Sequence, residues 1–144
     1  MTHTSSEWFL WAILSACFAA LTAIFAKVGV QNVDPDFATF FRTILIVALL
    51  GLFVWSTDKW VNPVTLSSKA ITFLALSAIT TGASWVCYFR ALKAGDASRV
   101  APVDKFSLIL VAVFAFAFLG ERPSLVQWGG IALVAAGVLV LSIR

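Results

Sequence analysis

Arg42, Asp104 and Lys105 carry the most informative chemistry in this chain, because each borders a long apolar run. The uncharged runs Thr43–Thr57 and Phe106–Gly120 hold only 15 residues each. That is about 22 Å of helix, whereas a membrane span needs roughly 20 residues. The two helices therefore reach full length only if these charged groups lie at membrane depth, where an ionisable side chain is costly and indicates function by default.

The three charged residues predict a cluster at one mouth of a helix bundle. Asp104 and Lys105 point about 100° apart on a helix, so each is expected to find a different partner, and Arg42 is a candidate for Asp104. Such a cluster can bind an anionic or zwitterionic substrate or exchange a proton. The structural alternative is an ion pair between helices that only fixes their packing.

A stripe of hydroxyl and aromatic side chains marks the third apolar run. The spacing i, i+4, i+7, i+11 places its members within about 60° of arc on a helix, and Trp85 flanks one end. This pattern predicts the lining of a water-accessible cavity; the alternative is hydrogen bonding to carbonyls one turn back or to a neighbouring helix. The stripe consists of Ser77, Thr81, Ser84 and Tyr88.

Five long uncharged runs must position these residues. Hydrophobic residues make up 61% of the chain and charged ones 12%, against about 25% charged in soluble domains. The fold class is therefore an all-α polytopic membrane protein in one domain over residues 1–144. The five transmembrane helices are predicted at about 8–30, 36–56, 69–92, 98–119 and 124–143.

The same composition argues against several functions. The net charge of +3 is scattered over short loops, so no nucleic-acid partner is expected. With one His, and with Cys17 and Cys87 inside helices, neither a metal site, another cofactor nor a disulfide is predicted. An enzyme is not expected, because no nucleophile has a neighbouring base and there is no phosphate-binding loop.

The distribution of Lys and Arg gives a weak topology signal. Five basic residues lie on the side of the first and third loops and the C-terminus, against three on the other side. This bias favours a cytoplasmic C-terminus, yet it is small enough to allow insertion in both orientations. Lys27, near the end of the first helix, is predicted to snorkel into the lipid headgroups.

Gly130 and Gly137 lie seven residues apart in the last predicted helix. Small residues at helical spacing let two helix backbones approach closely in lipid. The pair predicts a dimerisation face, and packing within one bundle explains it equally well.

Several of these features recur together in a known family. The segment Tyr88-Phe-Arg-Ala-Leu, Pro102 early in the fourth helix, the Gly120-Glu turn and the glycine-bearing last helix resemble, in that order, the EamA repeat of the drug/metabolite transporter superfamily. The resemblance covers the whole chain, since Arg42 early in the second helix also fits.

The resemblance implies a short, single-repeat transporter, distantly similar to small multidrug resistance proteins, that acts as a dimer. Typical EamA transporters carry two repeats in inverted orientation, so an antiparallel homodimer is expected here. The first helix lacks the embedded glutamate with which small multidrug resistance proteins couple protons, and that mechanism does not carry over. Asp104-Lys105 is a further departure that hints at a distinct substrate preference.

The expected function is secondary transport of small polar metabolites, amino-acid-like or other organic solutes, most plausibly export across a plasma membrane (the inner membrane of a bacterium). Trp85 and Tyr88 are expected to contact the apolar part of the substrate, and Ser77, Thr81 and Ser84 its polar edge. Arg42, Asp104 and Lys105 are expected to handle charge. The alternatives are a flippase for a lipid-linked headgroup and a non-transporting membrane subunit of a larger assembly.

Overall fold

A computed structural model describes the backbone of residues 4–143 and the side chains of residues 7–143. Every regular element in this range is helical, and five helical spans are long and apolar enough to cross a membrane. The predicted class, an all-α polytopic membrane protein, is confirmed. The helices are α1 (Thr4–Gly29), α2 (Pro35–Ser56), α3 (Ser68–Ala94), α4 (Ala97–Asp104), α5 (Ser107–Phe114) and α6 (Leu125–Ser142).

Local sequence explains where α2 and α6 begin. Asp34 caps α2, its side chain accepting from the backbone N–H groups of Asp36 and Phe37, both at 3.0 Å. Ser124 and Gln127 form a capping box at α6, each side chain accepting from the backbone N–H of the other. Capping of this kind satisfies N–H donors that have no partner inside the helix.

The fourth span departs from the continuous helix predicted over 98–119. It consists of α4, α5 and a π-helical turn at Ala115–Leu119. Between α4 and α5 the backbone hydrogen bonds join residues three apart instead of four. Lys105 N donates to the Pro102 carbonyl, and Phe106 N donates to the Val103 carbonyl. An apolar pattern does not distinguish α-helical from 3-10 or π turns, so the sequence did not predict this break.

Gly120 ends the fourth span in a left-handed conformation, with φ of 70°. Its N–H and that of Glu121 both donate to the Ala115 carbonyl. A glycine adopts this φ without the steric penalty that other residues meet, and the chain can therefore turn directly toward Pro123 and α6.

The chain divides into two compact units, one with Ile24–Ala94 and one with the residues up to Ala23 and from Gly95 onward. In the first unit, α2 packs against α3, and the most deeply buried residues, Val30, Phe89 and Leu92, lie near the end of α1 and in the last turns of α3. In the second unit, α6 packs against α4 and α5. The predicted single membrane domain stays a prediction.

Candidate functional site

Hydrogen bonds from two lysines connect the ends of α1 and α3 in the unit Ile24–Ala94. Lys27, in the last turn of α1, donates its ammonium to the Leu92 carbonyl near the end of α3 at 2.8 Å. Lys93, in the last turn of α3, donates to the carbonyls of Val30, Gln31 and Val33, just beyond α1. Cations at helix C-termini satisfy unpaired carbonyls and oppose the negative end of the helix dipole.

This arrangement corrects the prediction for Lys27. Its ammonium is bound to the Leu92 carbonyl rather than extended into headgroups. Leu92 is fully buried, and a carbonyl there needs an internal donor because water does not reach it freely. Which carbonyl, if any, would accept a hydrogen bond from Lys27 was not predictable from the sequence alone.

A bidentate ion pair joins α2 and α3 at the same end of this unit. Arg90 donates Nε to one carboxylate oxygen of Asp36 at 2.8 Å and Nη2 to the other at 2.6 Å. Both side chains remain largely exposed. The pair engages both oxygens of Asp36, while the Asp34 carboxylate caps α2, so both acidic side chains at this end are already engaged.

Arg42 lies deeper along α2, about 10 Å from Pro35 at about 1.5 Å per residue. Its guanidinium carbon is 4.5 Å from the ring centroid of Trp85 and 5.4 Å from that of Phe89, both on α3. Phe89 is buried, whereas Arg42 and Trp85 are half-buried. The structure therefore brings together two predicted site residues, Arg42 and Trp85, and adds a second ring, that of Phe89.

Tyr88 lies one residue before Phe89 on α3 and is half-buried. Ser77, Thr81 and Ser84, farther along α3, are exposed and make no side-chain hydrogen bond within Ile24–Ala94. Only their neighbour Thr80 bonds back to carbonyls of its own helix, those of Leu76 and Ser77. The stripe is thus open, and its predicted cavity-lining role stays a prediction.

Asp104 and Lys105 lie in the other unit, where α4 ends. Contrary to the expectation that they would find different partners, they pair with each other at 3.7 Å, and both are exposed. Adjacent positions leave the helix in different directions, but the long, flexible Lys105 side chain bends back far enough for its ammonium to reach the Asp104 carboxylate at the end of α4. The predicted pairing of Arg42 with Asp104 stays a prediction.

Gly130 and Gly137 lie on a face of α6 that is open within the described residues. No atom lies within 4 Å of a Cβ built at either position. The apolar residues that share this face are among the more exposed of the helix, with Val126 at 85%, Leu133 at 76% and Val140 at 68%. Such a face is suited to contact lipid or another helix.

A groove of about 430 Å³ lies in the same unit, between α5 and α6. Its lining is apolar except for Glu121 and Gln127, and the Gln127 side chain is engaged in the capping box. Among the described residues no group of three His, Cys, Asp or Glu side chains is placed to hold a metal ion.

The amino-acid sequence of this chain matches the model of a known protein family. The model of the EamA-like transporter family matches residues 6–143. The chain belongs to this family.

Relatives of this EamA family member are also named as transporters. A protein of Sinorhizobium sp, "Uncharacterized transporter in cobO 3'region", is 52% identical over 139 residues, covering 96% of this chain and 99% of the relative. The Bacillus subtilis "Uncharacterized transporter YxxF" is 26% identical over 151 residues, covering the whole of this chain and 45% of the relative. This chain therefore spans about half the length of YxxF.

A further group of relatives is named for lipid translocation. A Yersinia pestis "Probable 4-amino-4-deoxy-L-arabinose-phosphoundecaprenol flippase subunit ArnE" is 29% identical over 72 residues, covering 50% of this chain and 63% of the relative. No solved structure matches the chain.

Sequence reasoning missed four residues of the α1–α2–α3 end: Phe89, Asp36, Arg90 and Lys93. Phe89 follows Trp85 by four residues and therefore shares its helix face, which was an available signal. Asp36 and Arg90 have opposite charges near the same membrane side, but many other pairings were equally compatible with the sequence. The carbonyls that Lys93 meets were not predictable, because they belong to an irregular loop.

Proposed function

We propose that this EamA family member is a secondary transporter that exports small polar organic solutes across the bacterial inner membrane and acts as a dimer. The observation that carries the proposal is the half-buried charge of Arg42, which lies two helical turns inside a membrane span and over the ring of Trp85, the residue that flanks the hydroxyl stripe of α3. Ionisable groups inside membrane segments mark substrate or ion pathways.

The dimer part of the proposal rests on the size of one repeat. Substrate sites in many transporters lie at the interface of two repeats. The chain spans 45% of YxxF but 99% of the Sinorhizobium relative, so both one-repeat and longer relatives bear the name of transporter. The open glycine face of α6, with Gly130 and Gly137, supports association of two copies through this helix.

In this proposal the aromatic, hydroxyl and charged residues contact different parts of the solute. Trp85 and Tyr88 contact the apolar part of the solute, and Ser77, Thr81 and Ser84 hydrogen-bond its polar edge. Arg42 and the Asp104–Lys105 pair bind its charge or couple its movement.

Transport by the purified chain in proteoliposomes tests the proposal. We expect concentration-driven counterflow of at least one radiolabelled amino acid or organic acid, and Lys105→Ala should lower its rate with membrane insertion intact. Lys59→Ala, in the loop after α2, is the matched control. Undiminished counterflow in Lys105→Ala would remove Lys105 from the site, and no counterflow of any solute would contradict transport.

Dimerisation is tested separately at the glycine face. Gly137→Leu places a bulky side chain where close helix approach is proposed, and it should shift the protein from dimer to monomer in size-exclusion chromatography with light scattering. Ala132→Leu, at an exposed position about 200° around α6 from Gly130, adds volume on the opposite face and is the control. A dimer that survives Gly130→Leu and Gly137→Leu together would exclude this interface.

Translocation of a lipid-linked headgroup is the second candidate, favoured by the similarity to ArnE-type flippase subunits. Basic groups at the mouth would grip a phosphate in this case. Proteoliposomes carrying a fluorescent polyprenyl phosphate distinguish the two, since a flippase exposes that lipid to a membrane-impermeant quencher and a solute transporter does not. A subunit that only supports a partner would do neither alone.

A further inference from the structure

Every charged side chain at the α1–α2–α3 end of the unit Ile24–Ala94 has a hydrogen-bond partner except one. Lys27 and Lys93 bind backbone carbonyls, and Arg90 binds both oxygens of Asp36. Asp34 accepts from two backbone N–H groups. Arg42 has no hydrogen-bond acceptor within Ile24–Ala94, and its guanidinium lies over the rings of Trp85 and Phe89.

The two rings offset only part of the cost of this charge. The attraction between a cation and an aromatic ring is smaller than the cost of placing a charged side chain at membrane depth. A guanidinium whose face lies over rings still offers the N–H groups along its edge, and that planar fork matches the two oxygens of a carboxylate or phosphate. The edge of the guanidinium is therefore suited to an oxyanion from outside Ile24–Ala94.

We propose that Arg42 is the oxyanion-binding group of the transport site, and that the ligand joins a carboxylate or phosphate to an apolar part. The oxyanion pairs with the guanidinium edge, and the apolar part lies against the exposed portion of Trp85. This deepens the proposed function and rests on it for transport, although binding itself is independent. The same chemistry fits a free organic anion or the phosphate of a lipid headgroup.

The test compares three molecules of one shape, benzoate, benzamide and benzylammonium, together with phenyl phosphate. Their binding to the purified full chain in micelles is measured by isothermal titration calorimetry. We expect benzoate and phenyl phosphate to bind at least about tenfold more tightly than benzamide, since charge-assisted hydrogen bonds are the stronger ones. Equal binding of benzylammonium, or no binding of either oxyanion, overturns the proposal.

Variants of Arg42 locate the effect. Arg42→Gln should weaken benzoate binding at least about tenfold and leave benzamide binding unchanged, which shows that the site still folds. Arg42→Lys should be intermediate, because lysine keeps the charge and loses the planar fork. Arg99→Gln, an exposed arginine of α4, is the matched control, and an equal loss in Arg99→Gln overturns the assignment to Arg42.

Nanodiscs distinguish the two sources of the oxyanion. Benzoate binding in phosphatidylcholine but not in phosphatidylglycerol nanodiscs supports the site and identifies an anionic lipid headgroup as its occupant. Binding in both supports a soluble organic anion.

Flux measurements separate this proposal from the proposed function. Arg42-dependent binding without benzoate counterflow retains the oxyanion site and contradicts transport of this anion. Counterflow of benzoate that is unchanged in Arg42→Gln contradicts the site and retains transport.

Discussion

At Arg42, two aromatic rings hold a charge that no acidic side chain within Ile24–Ala94 neutralises. Trp85 and Phe89 are four residues apart on α3 and therefore present their rings on one face. Asp36, the acidic residue nearest in sequence, is bound by Arg90. In the proposal above, this ion pair keeps the Asp36 carboxylate from competing with the oxyanion for Arg42.

The first residue-level prediction concerns Trp85. Trp85→Leu keeps an apolar side chain but removes the ring against which the aromatic part of the ligand is proposed to lie, and an aromatic pair contributes about 0.5–1.5 kcal/mol beyond its buried area. Substrate affinity should fall about two- to twelvefold, measured as the benzoate dissociation constant or the transport KM. Trp55→Leu is the control, since Trp55 is 71% exposed on α2, and equal losses in both variants would contradict a specific role for Trp85.

The features of the site that could be predicted from the sequence are those that depend on one helix alone, and those that depend on packing between helices could not be predicted. Arg42, Trp85 and Tyr88 were identified because residue type and helical spacing alone placed them. The rings that Arg42 contacts depend on how α2 packs against α3, which spacing within one helix does not determine. Asp104 and Lys105 were predicted to diverge because only the directions of adjacent helix positions were considered, whereas the length of the Lys105 side chain lets its ammonium reach the neighbouring carboxylate.

At the scale of elements, α1 and α3 stabilise each other's ends through exchanged lysines. The two lysines differ in what their acceptors retain without them: Lys27 reaches the carbonyl of the fully buried Leu92. Of the three carbonyls bound by Lys93, those of Gln31 and Val33 are exposed, and that of the buried Val30 also accepts from the Val33 N–H at 3.4 Å. An exposed carbonyl can bond to water when its donor is lost, whereas a buried one stays unsatisfied.

We therefore predict unequal effects of removing the two ammonium groups. Lys27→Met should destabilise the protein by about 1–3 kcal/mol, and Lys93→Met should cost clearly less. Unfolding in mixed SDS micelles, followed by circular dichroism, measures both. Lys69→Met, at the exposed start of α3, is the control, and a Lys27→Met protein as stable as this control would show that the Leu92 bond contributes nothing.

The broken fourth span gives a second element-level prediction. Of the five backbone amides from Lys105 to Ile109, four donate to the carbonyl three residues earlier in the chain. Hydrogen bonds of this 3-10 type have poorer geometry than α-helical ones. Hydrogen exchange at these amides should be faster than at Ile131–Ala135 in the middle of α6, measured by mass spectrometry in micelles. Equal protection in the two segments would indicate a continuous helix in the membrane.

Five spans were predictable at this scale because length and hydrophobicity are properties of a single segment. Predicted and observed limits of the second span differ by one residue, 36–56 against Pro35–Ser56, since Asp34 and Pro35 mark its start. The interruptions within the fourth span were not predictable, because the apolar run continues unchanged across Phe114, where the α-helix gives way to a π turn.

At the scale of the whole molecule, the proposed antiparallel dimer depends on how the chain inserts. Lys27, Arg90 and Lys93 are bound within the folded protein, but they are still charged while the spans are being inserted and therefore count toward orientation. With Arg99 and Arg144 they number five, against Lys59, Lys69 and Arg122 on the other side. That difference is small enough for both orientations to form.

Reporters fused after Arg144, one active in the cytoplasm and one in the periplasm, measure this orientation. We predict signal from both, and signal on one side only would exclude an antiparallel homodimer. Two variants test whether the charge bias sets the orientation; each is designed to insert in one orientation only, and they are called the fixed variants. Asn32→Lys with Ser98→Lys raises the bias to seven against three, and Thr57→Lys and Ser67→Lys with Arg99→Gln and Arg144→Gln reverses it to three against five.

Each fixed variant should insert in one orientation and lose transport when expressed alone, because a dimer of opposite orientations can no longer form. Expressing the two together should restore transport, since each supplies the orientation that the other lacks. Restoration would also separate orientation from folding damage, because a misfolded chain cannot be rescued by changing only its partner's direction. Full transport by either variant alone would instead indicate a parallel assembly or a site complete within one chain.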